Sequence, residues 1–343
     1  LKVTGYNNSG TRGLQTEKKL FTLNRDITPP TLSNLNITGS STKYSVYKTA
    51  DNSYYVNNTD GKFTITGLAE DPVPQNGQAS GVAKVELTIS RLAADKQPAS
   101  SSTAYFKDLD LTSLSGDSVL ATLTVTDNAG NSSSTSLTIN FDVTGPVGEH
   151  EIDNKGKDLY FRFGEQNRAD DDGKSGSTWT PSYNAALDDD VGGKYSPDTY
   201  GNLGTLKIRG KFDDSGSGLA LIYYKLFTTE PSENDLNQFL SNYKAENNGY
   251  FSPLSANETR RVFYTNESGV KTYKEVESSY KTTIAGLSEG QNYLVLLAVD
   301  NVGNAKIDEV KIDESTYKNY RINVDQTLPV VSAASSDVIY TNA

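Results

Sequence analysis

The sequence has no cysteine, no methionine and one histidine, His150, among its 343 residues. Without cysteine there are no disulfide staples, thiolate metal sites or thiol nucleophiles, and one histidine cannot build a multi-histidine centre. Carboxylate, hydroxyl, amide and lysine chemistry remain. Long hydrophobic runs are also missing: no stretch approaches the roughly 18 residues of a spanning helix, and no signal-peptide pattern occurs, so no membrane insertion is expected of this segment. Basic residues are in the minority, 32 against 43 acidic ones, for a net charge of −11. A nucleic-acid or anionic-membrane partner would need a basic footprint, so neither is expected. A chain with no methionine anywhere, opening on Leu1, is expected to be a segment of something longer.

What is present is a low hydrophobic content, 35%, with 28 glycines, 21 tyrosines and abundant Asn, Ser and Thr. That profile suits antiparallel sheets with one wet face. The chain also repeats itself. D-x-T-x-P occurs at Asp26–Pro30, Asp142–Pro146 and Asp325–Pro329, each time after a strand of alternating pattern. Proline removes a backbone donor and fixes φ, so each copy ends a ladder and marks a domain end. Asp127-Asn128-Ala129-Gly130-Asn131 and Asp300-Asn301-Val302-Gly303-Asn304 read as turns between the last two strands of a unit. Ser80-Gly81-Val82-Ala83 matches Ser217-Gly218-Leu219-Ala220, each after an acidic turn at Asp71 or at Asp213 and Asp214.

This ordered set of motifs resembles the tandem immunoglobulin-like repeats of large bacterial surface and secreted proteins. In the second unit Leu287 to Tyr293 is also similar to the fibronectin type III corner, where a leucine precedes a strand tyrosine by six residues. The resemblance implies an all-β fold of tandem seven-stranded sandwiches, an extracellular or cell-surface location, neighbouring immunoglobulin-like domains in one parent chain, and no single activity. Residues 29–144 and 145–328 are the expected full domains. Residues 1–28 are read as the closing hairpin of a preceding domain and 329–343 as the first strand of a following one. Calcium binds at domain ends in some sandwich arrays, but the aspartates of these turns are explained by Asx-turn chemistry alone.

Two features set the second unit apart. Tyr293 to Val299 is apolar at both parities, so both faces of that strand must be covered. One candidate cover is a short helix at about 232–244, with Leu236, Phe239, Leu240 and Tyr243 at helical spacing and Ser232 with Asp235 as a cap pair. The other is an insertion at about 148–203, which carries twelve acidic and six basic residues. Its Asp170, Asp171, Asp172, Asp188, Asp189 and Asp190 are candidate calcium ligands, calcium being a hard ion that takes several oxygens. The spacing does not fit an EF-hand loop, and a solvated acidic loop is the preferred reading. Trp179, Tyr183, Tyr195 and Tyr200 could form a stacking platform for a glycan or protein partner, or pack on the outer sheet face, which is preferred.

No catalytic constellation emerges, and no cofactor is expected other than calcium. The chain reads as a non-catalytic stalk or adhesin segment of a large bacterial extracellular protein. Two alternatives stand: a carbohydrate-binding accessory module of a secreted enzyme, and an assembly subunit in which Ser332 to Tyr340 of one copy pairs with Phe21 to Leu23 of another.

Overall fold

The computed structural model describes residues 25–39, 46–51, 53–59, 62–73, 77–90, 92, 95–98, 103–148, 160–163, 200–201, 205–244, 248–255, 258–265, 268, 271–312 and 315–327. The chain divides into two compact units, residues 1–141 and 142–343.

In the first unit the strands are β1 (Thr31–Gly39), β2 (Tyr47–Lys48), β3 (Tyr54–Val56), β4 (Phe63–Glu70), β5 (Val82–Ile89), β6 (Asp95–Pro98), β7 (Thr103–Leu109), β8 (Ser118–Asp127) and β9 (Ser132–Phe141). They form two sheets, β1-β4-β7 and β2-β3-β9-β8-β5-β6. β1 pairs with β4 in one sheet, whereas β3, further along, lies parallel to β9 in the other. A leading segment that changes sheets in this way closes an immunoglobulin-like sandwich. Strand alternation decides which side chains face inward. Along β8, Val119, Ala121, Leu123 and Val125 are buried. The intervening threonines stay outside, with Thr122 and Thr124 hydroxyls 2.8 Å from those of Ser136 and Ser134 on β9.

The second unit repeats the scheme with additions. Its elements are β10 (Val147–Gly148), β11 (Tyr160–Phe163), β12 (Tyr200–Gly201), β13 (Thr205–Gly210), β14 (Phe212–Asp213), β15 (Leu219–Phe227), α1 (Glu233–Ser241), β16 (Gly249–Phe251), β17 (Glu258–Thr265), β18 (Lys271–Ser278), β19 (Tyr280–Ala285), β20 (Gly290–Asp300), β21 (Ala305–Ile307), β22 (Val310–Ile312), β23 (Ser315–Tyr317) and β24 (Tyr320–Val324). The sheets are β11-β13-β19 and β12-β24-β20-β15-β16, with β21 also on β20. β12 runs parallel to β24 as β3 does to β9. Two strands of the sandwich, β11 and β12, therefore fall inside the stretch read as an insertion at about 148–203. The last strand is also interrupted. β21 and β24 both pair with β20, and the β22–β23 hairpin leaves the sheet between them. A hydrogen bond from the Tyr320 hydroxyl to the Asp308 carboxylate closes the base of that excursion.

The doubly apolar strand receives its cover from the helix. Leu294, Leu296 and Ala298 of β20 face the sandwich core with Ile222, Tyr280 and Ile322. Val295, Leu297 and Val299 face the other way, against Leu236, Phe239 and Tyr243. Ser232 caps the helix: its hydroxyl accepts from the Asp235 amide while the Asp235 carboxylate accepts from the Ser232 amide, a reciprocal capping box. The turn before β20 is closed by Asn292, whose amide group donates to the carbonyls of Ser288 and Gly290 and accepts from the Ser288 amide. Tyr293, the residue of the fibronectin-like pattern, instead donates its hydroxyl to Gln291.

Phe239 is fully enclosed between α1 and β20. Phe239→Ala is expected to cost the second unit about 3–5 kcal/mol, seen in denaturant unfolding as an earlier transition for that unit, with the first unit's transition in place.

Candidate metal centres

The three motifs of each unit, far apart in the chain, converge on one place. In the first unit the residues preceding β1, the turn from β4 to β5 and the hairpin from β8 to β9 bring together Asp26, Asp71 and Asp127. In the second, Asp142, Asp214 and Asp300 meet in the same way. In each triad one carboxylate oxygen per residue lies within 4.8 Å of the others.

The motif residues other than aspartate hold this geometry. Gly130 and Gly303 adopt φ of +93° and +90°, which lets each D-N-x-G-N segment close as a hairpin. The first asparagine of that segment reaches across to the S-G-x-A motif. Asn128 Nδ2 donates to the carbonyls of Ser80 and Gly81, both at 2.9 Å. Asn301 Nδ2 does the same to Ser217 and Gly218 at 2.8 and 3.0 Å. The second asparagine ties in the residue before the sandwich: Asn131 Nδ2 donates to the Asp26 carbonyl at 3.3 Å, and Asn304 Nδ2 to that of Asp142 at 3.0 Å.

Backbone amides then aim each carboxylate. Ser80 N–H donates to Asp26 Oδ2 at 2.8 Å, and Ser217 N–H to Asp142 Oδ2 at 2.7 Å. Gly81 and Gly218 N–H donate to Asp71 and Asp214, each at 2.6 Å. Asp127 and Asp300 accept the amides two and four residues ahead. Such bonds stabilise ionised carboxylates. The Thr28 and Ser80 amides hold Asp26 below the ordinary carboxylate range. In the second unit crowding wins. Burial raises Asp214, with the like charge of Asp142 adding to it. Burial pushes Asp300 up to about 7, reinforced by the negative charges of Asp142 and Asp214.

Three carboxylates offer a hard, all-oxygen donor set of the kind calcium takes. Two further oxygens fit that group. Asp71 Oδ1 is buried without a hydrogen-bond partner, and so is Ser217 Oγ. Ser217 is only 5% exposed and its own amide is bonded to Asp142, which places the hydroxyl beside the triad. A buried polar atom left unpaired is costly, and a bound cation would satisfy it. Asp26, Asp71 and Asp127 would hold an ion in the first unit, and Asp142, Asp214 and Asp300 in the second.

Of the residues singled out from the sequence, Asp170, Asp171, Asp172, Asp188, Asp189, Asp190, Trp179, Tyr183 and Tyr195 lie outside the described residues. Tyr200 is in β12, opposite Asn323 of β24. The triads themselves were visible only as turn aspartates. Their signal is that all three positions recur in both units, which Asx-turn chemistry does not require of the acidic turn.

No protein-family model and no curated protein matches the chain. Among solved structures, fibronectin(III)-like modules of Clostridium thermocellum CbhA share 12% identity over 87% of this chain and 100% of theirs, with a TM-score of 0.29. A Ca2+-stabilized adhesin of an Antarctic bacterium shares 14% over 94% of this chain and 56% of its own, with a TM-score of 0.33. A glucan-binding protein of Bacteroides ovatus, SGBP-B, shares 11% over 89% of this chain and 71% of its own, with a TM-score of 0.21. At these TM-scores the likenesses carry no argument for the site, whose chemistry rests on its own atoms.

Gly216 shows how tightly the second triad is built. A Cβ there would lie 2.3 Å from the Asp142 carboxylate, while Ala79 stands at the matching place before Ser80. Gly216→Ala is expected to displace Asp142 and destabilise the second unit by about 1–3 kcal/mol, measured by denaturant unfolding.

Proposed function

We propose that the chain is a non-catalytic structural segment of a bacterial extracellular protein, spacing or presenting a binding head, and that each of its sandwich units is stabilised by calcium. The observation that carries the calcium reading is the meeting, twice in one chain, of three carboxylates built by the same three motifs, with a buried unpaired oxygen beside each set.

The role of the ion follows from where its ligands sit. Asp26 and Asp142 stand just ahead of the first strands of their units, and the other two acids of each set lie on separate turns of that unit. An ion held by all three would tie the entering chain to both turns. Without it, the acids face one another with only amide donors to offset their repulsion. Extracellular sandwich modules meet calcium near about the millimolar level, where modest sites with dissociation constants of roughly 10⁻⁴ to 10⁻³ M already fill. Such a site suits a part whose task is to hold its shape rather than to signal.

The absence of cysteine fits this reading. Disulfides are the usual staples of small extracellular domains, and the sequence has none to form. A shared ion between three segments supplies a comparable cross-link through oxygen ligands.

Thermal unfolding with calcium and with chelator tests the reading. At free calcium about a hundredfold above the dissociation constant, each site should add about 2.7 kcal/mol, raising Tm. The double variant Asp127→Asn and Asp300→Asn should lose that calcium-dependent rise. Identical melting of the unaltered chain in calcium and in chelator would contradict the reading.

A further inference from the structure

The two triads have equal charge but unequal construction, and the difference rests on the calcium reading above. In the second unit Asp142 and Asp300 are each 2% exposed, and the acidic turn is as short as it can be: only Ser215 and Gly216 separate Asp214 from Ser217. Gly216 packs directly on the Asp142 carboxylate, and Asp214 Oδ2 takes two amides, from Gly216 at 3.2 Å and Gly218 at 2.6 Å. The carboxylates are therefore fixed before any ion arrives.

The first unit lacks these restraints. Asp127 is buried, but Asp26 and Asp71 are only half-buried. Residues 72–79 lie between Asp71 and Ser80, a span of eight where the second unit has two. Asp71 Oδ2 takes one amide, from Gly81, and the Ser80 hydroxyl at 3.3 Å. More exposure means more solvent screening of the attraction for a cation, and a longer turn means more ordering on binding.

At equal ligand charge, site rigidity is what tunes calcium affinity. We propose that the triads are unequal calcium sites, with the Asp142–Asp214–Asp300 site binding about tenfold or more tightly than the Asp26–Asp71–Asp127 site. As calcium falls, the first unit empties while the second stays loaded. The segment then softens in steps, at the first unit's leading end first.

The test is a calorimetric titration of the whole, chelator-treated chain with calcium alone at pH 8. The expected result is two steps whose constants differ by about tenfold or more, with Asp214→Asn removing the tight step and Asp71→Asn the weak one. Hydrogen exchange on the unaltered chain gives a reading that needs no variant: amides of 214–218 and 300–304 should gain protection at lower calcium than those of 78–81 and 127–131. A single class of two equal sites, or protection in the reverse order, overturns the inequality. No calcium bound at either triad overturns instead the reading on which it rests.

Discussion

Each unit depends on keeping three like charges together. Aspartates from three separate segments are gathered to within 4.8 Å, a spacing at which carboxylates in a protein repel strongly. The rest of each motif counters that repulsion. Amides point at the carboxylate oxygens, and asparagine side chains tie the turns to one another. Glycines supply the backbone that lets the turns close. Seen this way, D-x-T-x-P, S-G-x-A and D-N-x-G-N are three parts of one site. Their recurrence in order along the chain is a consequence of building that site once per unit.

Beyond the shared site, the two sandwiches differ in how they treat the outer face of the larger sheet. In the first unit it is covered by hydroxyls, with serine and threonine pairing across β8 and β9. In the second, Val295, Leu297 and Val299 replace threonines, and the exposed apolar stripe would be costly without α1 upon it. The interrupted last strand belongs to the same remodelling. Lys318, beyond the β22–β23 hairpin, pairs with Glu233 at the start of the helix at 3.2 Å.

Much of this was legible in the sequence because it is local. Period-two alternation marked β8, and helical spacing with a Ser232–Asp235 cap marked α1. The two-sided apolar run in β20 required a cover, and the helix supplies it. What could not be read depends on distant pairing. The parallel matches of β3 with β9 and β12 with β24 have no local pattern, so β11 and β12 were absorbed into the insertion. The triads suffered the same way. Asp142 and Asp300 are 158 residues apart, and each alone is accounted for by its own turn. The dense runs at Asp170–Asp172 and Asp188–Asp190 drew attention because their acids are adjacent, whereas the triads become acidic clusters only once the strands pair.

The central claim is that the triads are assembled to hold a cation, and a crystal structure of the chain grown in calcium tests it most directly. The account predicts density for an ion inside both triads, with oxygen ligands at about 2.3–2.6 Å that include all three aspartates of each. Well-ordered triads in calcium with no ion among their carboxylates, or aspartates turned away to solvent, would contradict it.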